Sequence, residues 1–115
     1  MEVFLLDRPS DTHICSNYHQ AIEFIGKRWM GIIIYTLLSG SKRYNEILTN
    51  IPGISDRLLT ERLNDLVNAK LVNKKLLDSS TKKVEYELTA NGIAFKDVIL
   101  SLQKWIDICE FEKQS

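Results

Sequence analysis

Cysteine is scarce in this chain: Cys15 and Cys109 stand near opposite ends of 115 residues, and no Cys-x-x-Cys pair occurs. That excludes a disulfide framework and a zinc finger. No charge of one sign predominates, because 15 Lys and Arg meet 15 Asp and Glu. A globally basic chain that coats nucleic acid is therefore excluded. There is no apolar run of about 18 residues, the length a membrane span needs. The Ile-rich segment Met30 to Leu38 is shorter and is flanked by helix punctuation. The first residues lack the basic-then-apolar order of a signal peptide, so a cytoplasmic protein is expected. Gly-rich phosphate loops, Gly-x-Ser-x-Gly and His-Glu-x-x-His are also missing, and the carboxylates are scattered. Neither an enzyme nor a bound cofactor is expected. His13, Cys15 and His19 are residue types that bind zinc, but a fourth ligand has no source, so no metal site is expected.

What is present is a single domain's worth of chain with an ordinary apolar share of 44%, enough for one core. Its most informative stretch runs from Lys42 to Gly92. In Tyr44 to Ile51 the apolar residues Tyr44, Ile47, Leu48 and Ile51 fall at i, i+3, i+4 and i+7, one stripe of a helix. Pro52-Gly53 stops it. Ile54 is expected to pack inward, and Ser55 to cap a second helix from Asp56 to about Ala69. There Leu59, Leu63, Leu66 and Val67 form the buried stripe, with Arg57, Glu61, Asn64 and Asn68 opposite. Two strands follow, Leu71 to Leu77 and Val84 to Leu88, around the polar tip 78–83 that ends in Lys82 and Lys83. Thr89 is placed to cap a last helix.

Helix, turn, helix, wing: that order's main physical use is to put the second helix into a DNA major groove. The expected fold class is therefore α+β, mainly helical, a winged helix-turn-helix with additional N- and C-terminal helices. The boundaries are an N-terminal arm at 1–14, the helix-turn-helix at 42–69, the wing at 71–88 and a dimerisation helix at 90–110. Charge agrees, since residues 41–85 hold nine Lys or Arg against six Asp or Glu, and the remainder the reverse. Such a split suits one face presented to phosphate. Double-stranded DNA is the expected partner. Ser55, Arg57, Thr60 and Asn64 are the candidate contacts of the second helix, and Lys82 and Lys83 those of the wing. The rival reading is a winged-helix module that binds a protein partner through an apolar surface.

The flanks supply more apolar surface than a small winged core needs. A short amphipathic helix carries Tyr18, Ala21, Ile22 and Ile25, and an almost wholly apolar helix runs from Arg28 to Leu38, expected to be buried at the middle. The last helix, about Ala90 to Glu110, carries Phe95, Val98, Leu102, Trp105 and Cys109 at alternating spacings of three and four, a heptad-like seam. A homodimer is expected through Val98, Leu102 and Trp105, with help from Tyr18 and Ile22. Trp29 and Trp105 are expected as core or interface anchors.

Together the segments Ile25-Gly26-Lys27-Arg28-Trp29, Lys42-Arg43-Tyr44-Asn45-Glu46-Ile47, Pro52-Gly53-Ile54-Ser55, Leu59-Thr60-Glu61-Arg62-Leu63, Val84-Glu85-Tyr86-Glu87-Leu88-Thr89 and Gly92 resemble the HxlR-type bacterial transcription regulators. A cysteine just ahead of the first helix, Cys15, also fits. The resemblance implies a small homodimeric winged-helix protein that binds operator DNA, in a family where some members respond to thiol-reactive compounds. Cys15 is then a candidate thiol sensor at a helix entrance, its thiolate favoured by the helix dipole and by cations such as Lys27 or Arg28. Cys109, on the dimer seam, is its candidate partner across the interface. The inducer is unknown.

Overall fold

The computed structural model describes residues 16–78 and 83–109. Cys15, His13, Lys82, the arm expected at 1–14 and the helix end expected at Glu110 lie outside them. The element order is α1 (Ser16–Ile25), α2 (Met30–Leu37), β1 (Lys42–Arg43), α3 (Tyr44–Asn50), α4 (Asp56–Asn68), β2 (Val72–Asp78), β3 (Lys83–Leu88), α5 (Ala90–Ile93) and α6 (Lys96–Cys109). The three strands form one antiparallel sheet in the order β1-β3-β2. This is the expected winged helix-turn-helix.

The core is where the apolar periodicities converge. Met30, Ile33, Ile34 and Leu37 of α2 meet Ile47 of α3, Leu59, Leu63 and Leu66 of α4, and Val72, Tyr86 and Leu88 of the sheet. Leu59, Leu63 and Leu66 are at most 1% exposed, and burying one such side chain stabilises the fold by roughly 1.5–3 kcal/mol. Ile54 is buried in the turn between α3 and α4, as expected. Its neighbour Gly53 has φ +96, a conformation that glycine adopts without a Cβ penalty.

The structure corrects the sequence reading at four places. The helix expected from Arg28 starts at Met30, because Trp29 takes φ 73 and ψ −6 in the left-handed region. An aromatic residue there is strained, and compensation comes from its ring, which packs against the core and under the Arg28 guanidinium, 5.3 Å from the ring centre. The same helix is not buried all round: Ile32 and Tyr35 are 48% and 59% exposed. Lys42–Arg43, expected to open the helix-turn-helix, is instead a two-residue strand paired with Glu85 and Tyr86 of β3. The last helix is broken in two. Phe95 turns onto the core, and its amide bonds to the carbonyl three residues back at Gly92 (3.0 Å), which interrupts the α-helical ladder between α5 and α6.

The junction of wing and C-terminal helices is tightly pinned. Thr89 donates its amide to the Leu71 carbonyl (2.9 Å) and its hydroxyl to the Lys70 carbonyl (2.8 Å), while its Oγ1 accepts from Gly92 N (3.1 Å). A Cβ on Gly92 would collide with the Leu71 carbonyl, so the close approach requires glycine. Lys70 itself has φ 65, and the bonds from Lys70 N to Val67 O and from Leu71 N to Leu66 O, both 3.0 Å, close α4 as a Schellman motif.

Candidate nucleic-acid interface

The helix α4 divides cleanly. Its inner side is the Leu59, Leu63, Leu66 stripe, and its outer side carries Arg57, Thr60, Glu61 and Asn64, all exposed. Ser55 caps it, with Oγ accepting from Leu58 N at 3.1 Å. That bond uses a lone pair and leaves the hydroxyl proton available to an outside acceptor. Arg57, Thr60 and Asn64 therefore share the open side of α4, and Ser55 stands at its N-terminal end. Arg57 is the exposed cation among them, and Asp56 and Glu61 flank it with acceptors.

Tyr44, counted on the buried stripe of α3, is only partly buried, and its phenol reaches across to α4. Its Oη lies 2.9 Å from the Asp56 carbonyl oxygen, 2.8 Å from Asp56 Oδ1 and 3.2 Å from Thr60 Oγ1. Desolvation pushes the Tyr44 phenol above its usual range, the Thr60 hydrogen bond opposes this, and Asp56 adds to it. Sequence periodicity read the ring as core and could not see the hydroxyl.

A second anchor holds α4 from its other flank. Arg62 donates Nε to the Arg28 carbonyl at 3.0 Å and Nη1 to Asp65 Oδ2 at 2.9 Å, and Lys27 Nζ reaches the same carboxylate oxygen at 3.3 Å. The turn after α1 is thereby tied to α4. Arg62 lies three residues beyond Leu59, at the border of the apolar stripe, which is the signal that would have found it.

The wing presents mixed charge. Side chains alternate along β3, so Lys83, Glu85 and Glu87 share one face; their cross-strand neighbours there include Arg43 and Lys75. Lys75 and Glu87 pair at 3.0 Å, and Lys83 is exposed. Arg43 and Lys75 are cations that the motif reading left out of the candidate set.

The expected dimer residues lie on a separate surface. Val98, Leu102 and Trp105 of α6 are 45–50% exposed, as is Ile22 of α1, with Tyr18 at 38%. Val98 and Leu102 line an apolar groove of about 570 Å³ whose other wall is formed by Trp29, Ile32 and Tyr35. No residue of α6 is fully buried, whereas Phe95, the first residue of the expected seam, packs against the core. Cys109, at the end of α6, is exposed. Among the described residues no group of three metal-binding side chains occurs, and no helix is long and apolar enough to cross a membrane.

The profile of the HxlR-like helix-turn-helix family matches residues 24–113. The HTH-type transcriptional regulator YodB of Bacillus subtilis is 38% identical over 108 residues, covering 87% of this chain and 96% of that protein. The solved reduced form of YodB superposes with a TM-score of 0.76 at 39% identity, covering 83% of this chain and 93% of that one. The redox regulator HypR in its oxidised form superposes with a TM-score of 0.74 at 29% identity, covering 86% and 99%.

Proposed function

The chain belongs to the HxlR-like helix-turn-helix family, and from that premise we propose that it is a sequence-specific DNA-binding transcriptional regulator. It acts in the cytoplasm as a homodimer on an inverted-repeat operator. The observation that carries this reading is the division of α4, anchored by three buried leucines and offering Arg57, Thr60 and Asn64 on its open side. Ser55 and Arg57 lead the helix into the groove, and Lys82 and Lys83 belong to a wing that lies against the phosphate backbone. A protein-binding module would offer an apolar surface at α4, and the polar residues there speak against it.

Two subunits join through Val98, Leu102 and Trp105, assisted by Tyr18 and Ile22, which sets two copies of α4 about one DNA turn apart. Cys15 is the thiol sensor and Cys109 its candidate partner across the interface. Support comes from the exposure of Cys109 and from the likeness to HypR, a redox regulator. The test is to incubate the purified protein with sheared genomic DNA and sequence what it retains. A small set of fragments sharing an inverted repeat is expected, and retention no different from that of input DNA refutes the reading.

A further inference from the structure

Asp56, the first residue of α4, is exposed, yet its carboxylate is held from another element. The Tyr44 phenol comes from α3 and has a single proton to donate. Given to Asp56, that proton leaves the Tyr44 oxygen free to accept from Thr60, 3.2 Å away. The hydroxyls then run in one direction, Thr60 to Tyr44 to Asp56, whose Oδ1 at 2.8 Å and main-chain carbonyl at 2.9 Å share the phenol proton. Two consequences follow for the open side of the helix. Asp56 Oδ2 meets no donor among the described residues and belongs to an exposed side chain, so it is available to accept from outside while Oδ1 is held. Thr60, its proton directed at Tyr44, offers lone pairs and a methyl group but no donor.

We propose that Asp56 is a base-specificity residue that accepts from the N4 amino group of a cytosine in the major groove, with Tyr44 as its positioning residue. This rests on the operator-binding reading above. The choice of base follows from the groove edges. Guanine offers two acceptors there, thymine an acceptor and a methyl group, and adenine a donor beside the N7 acceptor that would repel a carboxylate. Cytosine alone offers a donor with no acceptor of its own. A carboxylate aimed at phosphate would instead weaken binding to every sequence alike, which separates the two roles experimentally.

The experiment is selection of bound duplexes from a randomised pool by the full chain, by D56N and by Y44F, followed by titration of the enriched sites. The wild type is expected to enrich cytosine at one position of each half-site and to discriminate there by roughly 5- to 150-fold, the worth of a good base contact. In D56N the preference at that position moves to adenine, whose N6 and N7 an amide can satisfy together. In Y44F the cytosine preference falls while the salt dependence of binding stays as it was, since no charge changes. If D56N tightens binding equally on all sequences, or leaves base preferences unaltered, Asp56 does not read a base. If Y44F selects as sharply as wild type, the positioning role of Tyr44 is refuted. A wild type that enriches an operator whose preferences neither variant moves overturns this inference alone, whereas a wild type that enriches nothing overturns the operator reading as well.

Discussion

Arg62 donates its Nε to the main-chain carbonyl of Arg28 at 3.0 Å, binding the helix α4 to the turn that carries Trp29 in its left-handed conformation. The same guanidinium reaches Asp65 at 2.9 Å, and its side chain is only 15% exposed. Losing it leaves the Arg28 carbonyl and the Asp65 carboxylate without this donor. Arg62→Ala is therefore expected to lower stability by about 1–3 kcal/mol. Arg62→Lys restores charge but not the planar fork and recovers only part of the loss. Urea denaturation of the three proteins measures this, and equal midpoints would show that the tie does not stabilise the fold.

Arg57 is the exposed cation on the leading turn of α4. Arg57→Ala is expected to weaken operator binding about 5- to 150-fold, the range for one good base contact. The fold stays intact, because the side chain is exposed. Fluorescence anisotropy titration checks it; an unchanged Kd removes Arg57 from the interface.

Lys82→Ala with Lys83→Ala is expected to weaken specific and random DNA to the same degree. Each lost phosphate contact should flatten the log–log salt dependence by about 0.9. Should the slope remain that of wild type, the wing stays clear of DNA.

Charge placed on the α6 seam should prevent assembly, since a buried unpaired charge is costly. Leu102→Asp is expected to give monomer or insoluble protein, and Val98→Asp the same, both positions lying on the groove wall beside Ile32 and Tyr35. Light scattering that finds the wild type monomeric at micromolar concentration would refute the interface.

Diamide or a quinone is expected to change the operator affinity of the wild type and to leave Cys15→Ser indifferent. A covalent dimer on a non-reducing gel, lost in Cys109→Ser, would bring in the second cysteine. If wild type and Cys15→Ser respond alike in anisotropy titrations, that thiol has no regulatory part.

The helix-turn-helix was legible because its residues obey one period: Ile47 on α3, Ile51 at its C-terminal cap, and Leu59, Leu63 and Leu66 on α4 are buried where spacing put them. Pro52-Gly53, Ser55 and Thr89 mark boundaries by backbone chemistry that short sequences carry. What escaped was set by tertiary contact. Two residues, Lys42 and Arg43, are too few for alternation to reveal a strand, and only β3 makes them one. No local pattern announces a left-handed tryptophan, because packing around Trp29 imposes it. The break at Phe95 likewise needs no proline or terminal glycine, only a ring drawn into the core. At the candidate interface the exposed residues of α4 could be read from periodicity. The Tyr44 hydroxyl contacts could not, and for Arg62 spacing marks the position but not its partner, since Asp56 and the Arg28 carbonyl each lie on an element distant in sequence.

The helix α6 has 14 residues, none of them fully buried. Helices of about that length are marginal in water on their own, so its order depends on what covers it. The core, by contrast, is closed by contacts within one chain. If two subunits join through α6 as proposed, its amides should exchange with solvent hydrogen faster as protein concentration falls, and faster than those of α4 at any one concentration.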